Sequence, residues 1–220
     1  MTHTPEKIQN MFNKIAQKYD FINKVMSLGT QDYVKKSSIN ALKINKHDNV
    51  LDLCCGTGDL ARIIKNFEPD IIVVGVDFSQ NMLDIAKSKS SNIQYIQADA
   101  TKLPFDDNSF DVITMGFGLR NIPNAEKAVE EIYRVLKPNG QFLHLDFGEK
   151  NIFSKIFDKI AITFSKLFTK NYFAYEYLIK SKSMFPTPKE LIKDFESKKF
   201  KFKKRIDFLM GVISCQIMIK

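Results

Sequence analysis

A ten-residue segment in the first third of the chain constrains the fold more than any other feature. Residues 50–59 read VLDLCCGTGD, an apolar run that ends in two glycines and opens a helical stretch. The apolar run is typical of a buried strand, and glycine lets the backbone turn sharply and approach a ligand closely. The segment therefore predicts a strand, a tight turn and a helix, the arrangement in which α/β proteins bind nucleotides.

Two acids flank this glycine turn, Asp52 in the strand and Asp59 at the mouth of the helix. Backbone N–H groups at a helix N-terminus attract an anion, whereas a carboxylate placed there opposes an anion and favours a cation. Residues 56–61 also satisfy the pattern G-x-G-x-x-A of NAD-binding proteins. The position of Asp59 favours S-adenosylmethionine, a positively charged nucleotide ligand, over NAD.

Apolar runs and helical stretches alternate on both sides of this segment. The predicted strands are 49–53, 71–76, 93–97, 111–116 and 141–146, and the predicted helices between them are 59–66, 81–87 and 125–136. Such alternation is typical of a parallel sheet with right-handed crossovers. We predict an α/β fold with a Rossmann-like, doubly wound, mostly parallel seven-stranded sheet, N-terminal helices and a helical insertion before the last strands.

The 220 residues fit a single domain. We expect residues 1–45 to form an N-terminal helical cap and residues 46–149 the cofactor-binding core. Residues 150–200 are predicted to be a helical insertion that faces substrate or membrane, and residues 201–220 the terminal strands.

Acids and glycines recur where the predicted strands end. Asp77 lies 19 residues after Gly58 and can accept hydrogen bonds from ribose hydroxyls, and Asp99 can accept one from an amine such as adenine N6. Either acid alone is also typical of a helix cap or a turn. The carboxyl ends of parallel strands, however, meet at one rim, where ligands of such sheets bind. The predicted cofactor-binding residues are Asp52, Gly56, Thr57, Gly58, Asp77, Asp99, Ala100 and Gly116.

The cysteines and histidines add no predicted chemistry. Cys54, Cys55 and Cys215 have no metal-ligand spacing, and adjacent cysteines rarely pair with each other. We predict that they are buried reduced thiols. No metal site is predicted, and no histidine is assigned as a catalytic base.

Five segments carry a resemblance to a known family. They are KYDFIN at 18–23, MSLG at 26–29, LDLCCGTGD at 51–59, FGLRN at 117–121 and YRVLKP at 133–138. The glycine turn and the YRVLKP segment resemble class I S-adenosylmethionine-dependent methyltransferases in general. The other three resemble, more narrowly, the ubiquinone/menaquinone biosynthesis C-methyltransferases. The resemblance implies methyl transfer from S-adenosylmethionine to a ring carbon of a polyprenylated quinol.

The resemblance also implies catalytic residues. Arg120 and Asn121 directly follow the fourth predicted strand, beside the expected position of the methyl group. We expect Arg120 to stabilise the developing phenolate, with Asn121 and Tyr19 orienting the ring. The alternative for Arg120 is an ion pair at a helix terminus. The substrate remains open between demethylmenaquinol and 2-polyprenyl-6-methoxy-1,4-benzoquinol.

Positive charge is concentrated in the last third of the chain. Residues 150–220 hold 16 Lys/Arg and 6 Asp/Glu, whereas residues 1–149 hold 17 and 19. Within the basic third, residues 152–168 place apolar side chains on one helical face, which is typical of a core-packing helix or of a basic helix on a bilayer. We expect a cytoplasmic enzyme, peripheral on the inner face of an anionic membrane in the second case, and leave a homodimer open.

Other functions fit parts of the sequence. A basic, aromatic-rich terminal third suits a nucleic-acid methyltransferase, but residues 115–118 lack the Asn/Asp-Pro-Pro-aromatic motif of base-amine methylation, so no nucleic-acid partner is predicted. A methyltransferase for another small molecule and a non-catalytic cofactor-binding subunit of a quinone-biosynthesis assembly remain alternatives. An NAD oxidoreductase fits least well.

Overall fold

A computed structural model describes residues 5–27, 29–168, 177 and 180–220. Leu28 of the MSLG segment lies outside this part, as do residues 1–4 and most of the segment 169–179 within the predicted insertion. The helices are α1 (Pro5–Met26), α2 (Gln31–Ile39), α3 (Asp59–Phe67), α4 (Gln80–Lys89), α5 (Ala125–Val135), α6 (Ile152–Phe168) and α7 (Pro188–Ser197). The strands are β1 (Asn49–Leu53), β2 (Ile72–Asp77), β3 (Gln94–Gln97), β4 (Phe110–Gly116), β5 (Leu136–Phe147), β6 (Lys201–Phe208) and β7 (Ile213–Ile219).

The seven strands form one sheet in the order β3-β2-β1-β4-β5-β7-β6. The first five strands run parallel, and β7 lies antiparallel between β5 and β6. The order reverses between β1 and β4, so ligands are expected above the carboxyl ends of these two strands. The predicted α/β class, the mostly parallel seven-stranded sheet and the helices before it are confirmed.

Helices cover both faces of the sheet. One apolar cluster joins α2, α3 and α4 to one face, and a second joins α5 and α7 to the other. Burial of strands on both sides explains why they read as continuous apolar runs in the sequence. No described helix is long and apolar enough to cross a membrane.

The junction between α5 and β5 differs from the sequence prediction. A break was expected between the predicted helix 125–136 and the predicted strand 141–146, but α5 ends at Val135 and β5 starts at Leu136. The pairing of β4 with β5 jumps from Phe110↔Leu136 to Val112↔Gln141, so residues 137–140 bulge out of the strand. Asn139 makes this bulge possible because it adopts a left-handed φ of 63°.

A capping box stabilises the start of α7. The Thr187 side chain accepts from the backbone N–H of Glu190 at 3.4 Å, and the Glu190 carboxylate accepts from the backbone N–H of Thr187 at 2.7 Å. Pro188 occupies the first helical position, where its missing N–H costs nothing.

Candidate active site

A cavity of about 250 Å³, the rim cavity, lies between the carboxyl ends of the strands and α1. Five predicted cofactor residues line it: Gly56, Asp77, Asp99, Ala100 and Gly116. A smaller space of about 110 Å³, the inner cavity, continues from it and is lined by Asp52, Thr57, Tyr19, Arg120, Phe147 and Phe157, among others. The topology thus brings most of the predicted residues to one rim.

The carboxylate of Asp77 anchors the glycine turn to β2. Its Oδ2 accepts from the backbone N–H of Gly56 at 2.8 Å, and its Oδ1 accepts from that of Ser79 at 2.9 Å. Burial raises the pKa of this carboxyl, although the backbone donors oppose the shift. Each oxygen keeps a second lone pair that can accept from a ligand hydroxyl.

Two glycines let the turn pass where a side chain would not fit. Gly58, which precedes α3, has a left-handed φ of 81°, and a Cβ there would lie 2.5 Å from the Tyr95 hydroxyl. A Cβ on Gly116 would lie 2.7 Å from Leu60 Cδ1. The left-handed φ and the close packing against Tyr95 therefore favour glycine at position 58, whereas a side chain at position 116 would displace the flexible end of Leu60. Gly58 itself does not line either cavity.

Asp52 is held by protein donors on both oxygens. The Ala61 backbone N–H donates to Oδ2 at 3.1 Å and the Thr114 hydroxyl donates to Oδ1 at 2.8 Å. The residue is 1% exposed, and burial raises the pKa of its carboxyl to about 7. These contacts make Asp52 a brace that ties β1 to α3 and β4, while its direct contact with a cofactor stays a prediction.

The prediction that the negative charge of Asp59 makes the glycine turn favour a cationic ligand is not supported by the structure. Its carboxylate pairs with Lys35 at 2.8 Å and with Arg62 at 2.8 Å. Although burial opposes the effect, these cations hold the pKa of Asp59 below its usual value. Two positive partners offset the carboxylate, so Asp59 by itself does not set the sign of the field at the turn. The sequence could not reveal Lys35, which arrives from α2.

Helix α1 packs against the glycine turn and is hydrogen-bonded to it. The Thr57 hydroxyl donates to Asp20 Oδ1 at 2.6 Å, and Asp20 forms an ion pair with Lys89 of α4. Farther along α1, the Gln9 amide donates to the Phe78 carbonyl at 2.7 Å. Asp20 lies in the KYDFIN segment at 18–23, and nothing in its local sequence pattern indicates this role. The structure shows it latching α1 onto the glycine turn.

Asp99 lies at the open end of the rim cavity. Its Oδ1 accepts from the backbone N–H and the hydroxyl of Thr101, both at 2.8 Å. The residue is exposed, and Ala100 beside it is buried. A carboxylate that is fixed on one oxygen and accessible to solvent suits the predicted contact with an exocyclic amine.

Arg120 and Asn121 converge on one backbone carbonyl. Arg120 Nη1 donates to the Phe117 carbonyl at 2.9 Å and to Asp146 Oδ1 at 2.6 Å, and Asn121 Nδ2 donates to the same carbonyl at 3.1 Å. Phe117 needs this support because it adopts a left-handed φ of 57°. The predicted alternative for Arg120, an ion pair beside a short helix, is therefore present, and it is compatible with a place in the site.

The Arg120–Asp146 pair is almost fully buried, with side-chain exposures of 7% and 0%. Arg120 Nε and Asp146 Oδ2 are buried, and each lacks a hydrogen-bond partner among the described residues. The guanidinium carbon lies 5.0 Å from the centre of the Phe147 ring, within cation–π range. A buried pair with unmet hydrogen-bonding capacity is expensive to maintain for stability alone.

Two of the three predicted catalytic residues, Tyr19 and Arg120, line the inner cavity, and the third, Asn121, lines the neighbouring rim cavity. Tyr19 lines both cavities, and burial raises the pKa of its phenol, which keeps it a hydrogen-bond donor. Asn121 lines the rim cavity and accepts from the Tyr177 hydroxyl at 3.0 Å. The sequence missed Asp146, Phe147 and Phe157, because nothing in their local pattern separates them from ordinary core residues.

A second buried cation, Lys182, lies against the aromatic rings that line the inner cavity. Lys182 Nζ lies 4.9 Å from the Phe147 ring and 5.4 Å from the Phe157 ring, and pairs with Asp158 at 2.6 Å. His144, in contrast, is enclosed by aromatic rings, and burial lowers its pKa, so it stays neutral. Among the described residues, no cluster of three or more His, Cys, Asp or Glu side chains could hold a metal ion.

The whole chain, residues 1–220, matches the model of the ubiE/COQ5 methyltransferase family. A demethylmenaquinone methyltransferase of Listeria welshimeri is 37% identical over 224 aligned residues, covering 96% of this chain and 95% of that relative. A protein of the same name from Lactobacillus johnsonii is 40% identical, covering 90% and 86%.

Solved structures agree on the fold. A SAM-dependent methyltransferase from Thermotoga maritima has a TM-score of 0.72 at 19% identity, covering 96% of this chain and 99% of that one. The [4+2]-cyclase SpnF has a TM-score of 0.74 at 14% identity, covering 100% and 97%. A cyclase and a methyltransferase on one architecture show that the fold does not identify the reaction. The match to the family model over residues 1–220 identifies the family: the chain belongs to the ubiE/COQ5 methyltransferase family.

Proposed function

We propose that this S-adenosylmethionine-dependent methyltransferase methylates a ring carbon of demethylmenaquinol, the naphthoquinol of the two substrates that the sequence left open. The choice rests on the names of the relatives, which are demethylmenaquinone methyltransferases. The observation that carries the proposal is the inner cavity, where Tyr19 and Arg120 face the aromatic side chains of Phe147 and Phe157 beside the glycine turn. Such a lining suits a flat aromatic acceptor.

The residues of the rim cavity fit S-adenosylmethionine. Asp77 keeps acceptor capacity for the ribose hydroxyls, and Asp99 stands exposed at the open end. The backbone at Gly116 lies open to both cavities. The bound cofactor would supply an electrophilic methyl group, and its sulfur would keep the electron pair of the broken bond.

The chain's own residues prepare the acceptor. A quinol hydroxyl must lose its proton for the neighbouring ring carbon to attack the methyl group. Arg120, held by Asp146 and the Phe117 carbonyl, supplies positive charge to the resulting phenolate. Tyr19 and Asn121 orient the ring, since holding two reacting atoms in line removes much of the entropic barrier. After the new C–C bond forms, the methylated ring carbon loses its proton and the ring oxygen regains one, which restores the aromatic quinol with the net release of one proton to solvent.

Methyl transfer with two quinols tests the proposal. We expect purified protein with labelled S-adenosylmethionine to add one methyl group to demethylmenaquinol and to act more slowly on 2-polyprenyl-6-methoxy-1,4-benzoquinol, as measured by mass spectrometry of the lipid extract. An Asp77→Ala variant is the inactive control. Faster turnover of the benzoquinol would overturn the choice of substrate. Cofactor binding without transfer to either quinol would favour a non-catalytic subunit.

A further inference from the structure

Six exposed apolar side chains lie together where α6 begins. Four are on α6, and two belong to the short turn 209–211 between β6 and β7. We call them the apolar surface; they are Ile152, Phe153, Ile156, Ile160, Leu209 and Met210. The Asn151 side chain donates to the Met210 carbonyl at 2.9 Å, and the Glu149 N–H donates to the Gly211 carbonyl at 2.7 Å. These bonds hold the turn against the start of α6.

The backbone of the turn presents its apolar residues at a conformational cost. Leu209 and Met210 both have left-handed φ angles, 51° and 55°, and Met210 is 71% exposed. Left-handed φ is strained for residues with a Cβ, and neither side chain gains full burial in return. Strain without burial in the free protein indicates a binding partner elsewhere.

Positive charge borders this surface. Lys150 and Lys155 are exposed, and neither forms an ion pair with a described residue. The nearby carboxylates are compensated, because Asp158 pairs with Lys182 while Glu149 pairs with Arg205. The uncompensated charge beside the apolar side chains is therefore positive.

We propose that the apolar surface docks on an anionic phospholipid membrane, with Met210 and Leu209 inserted beside the apolar face of α6. Apolar side chains flanked by lysines match the boundary between acyl chains and acidic headgroups. Phe157, also on α6, lines the inner cavity, so docking of this helix would bring the reaction site to a lipid acceptor. In that respect the inference rests on the proposed function. The sequence predicted the α6 stripe but not the turn, and the side chains of Phe164, Leu167 and Phe168 lie outside the described ones.

Vesicle co-sedimentation tests the docking without cofactor or quinol. We expect the wild-type protein to bind phosphatidylcholine vesicles containing phosphatidylglycerol at low salt and to dissociate at high salt. Met210→Asp should abolish binding, and Lys155→Glu should weaken it about fivefold. The matched controls are Phe67→Asp, an exposed apolar residue at the end of α3, and Lys87→Glu on α4, at the opposite end of the sheet. Both should bind like the wild type.

Three outcomes would overturn the proposal. The first is equal binding by Met210→Asp and the wild type, and the second is no binding of the wild type at low salt. The third is a wild-type dimer in light scattering that Met210→Asp converts to a monomer, which would make the surface an interface between two copies. Methyl transfer to a tail-less 1,4-naphthoquinol in solution separates this failure from that of the proposed function: Met210→Asp should keep that activity and lose turnover only on quinol embedded in vesicles.

Discussion

The rim cavity and the inner cavity are held in different ways. Around the rim, acids at strand ends accept hydrogen bonds from backbone N–H groups, as Asp77 does from Gly56 of the glycine turn and from Ser79. Around the inner cavity, side chains from distant elements hold one another, as Arg120 and Asp146 do. The contacts around the rim cavity involve the backbone, so a substitution there also shifts the chain. The contacts around the inner cavity join side chains, so a substitution there can leave the backbone contacts of the rim cavity in place. The two cavities should therefore respond separately to mutation.

The largest expected effect is on turnover alone. The double variant Arg120→Met, Asp146→Leu removes both buried charges together, while Asn121 still supports the Phe117 carbonyl. Loss of a preorganised charge at a developing oxyanion should lower kcat by about 100- to 1,000-fold. Calorimetric binding of S-adenosylmethionine should be unchanged.

The single variant Arg120→Met serves as the control for this double variant. It leaves Asp146 buried and unpaired, which should cost about 3–5 kcal/mol in the free energy of unfolding. Near wild-type turnover by the double variant would show that Arg120 has no part in the chemistry.

The next effect is a pH dependence at Asp52, which ties β1 to α3 and β4 and lines the inner cavity. Burial raises the pKa of Asp52 to about 7 in the folded protein, whereas the carboxyl of an unfolded aspartate has a pKa near 3.8. Between these values the native state keeps a proton that the unfolded state has lost. The stabilisation is therefore complete below the unfolded pKa and is lost as the pH rises through 7. It amounts to about 4 kcal/mol in full, with roughly 2 to 3 kcal/mol lost between pH 5 and 8.

Urea unfolding of wild type and Asp52→Asn at pH 5 and pH 8 measures this loss. The variant loses stability at every pH, because an amide oxygen cannot replace both acceptors, but it should lack the pH-dependent part. Asp70→Asn, at an exposed carboxyl, should follow the wild type. Parallel curves for wild type and Asp52→Asn would contradict the assignment.

The smallest effect compares two glycines with the same backbone conformation. Gly58 and Gly29 have φ angles of 81° and 76°, but only at Gly58 would a Cβ meet a neighbour. Gly29→Ala should cost about 1 kcal/mol from the left-handed φ alone, and Gly58→Ala about 1–3 kcal/mol more from overpacking against Tyr95. Thermal unfolding measures both. Equal costs would mean that the tight packing beneath the turn is not rigid.

The rim could be predicted from sequence because its contacts are local or follow from strand order. Asp77 ends a strand beside the glycine turn, and a parallel sheet brings such ends together without knowledge of any partner side chain. The side-chain hydrogen bonds and ion pairs that hold the residues of both cavities in place could not be predicted in this way. Thr57 reaches Asp20 across 37 positions, Lys35 reaches Asp59 across 24 and Arg120 reaches Asp146 across 26. No local pattern encodes such distances.

The same limit applies to the fold. The strand run at 141–146 was recognisable, but the bulge that starts β5 at Leu136 depends on its pairing with β4. The charge of Asp59 was misjudged for the same reason, since its partner Lys35 lies on another helix.

The position of β7 inside the sheet has a consequence for biosynthesis. β5 pairs with β7, and so does β6, although β7 is the last of the three to leave the ribosome. Until residues 213–219 emerge, the nascent chain exposes the free edge of β5 and an unpaired β6, both open to wrong partners. We expect ribosome-stalled chains that end before residue 213 to require a bound chaperone to avoid aggregation, even though all five parallel strands of the cofactor-binding core have already been synthesised.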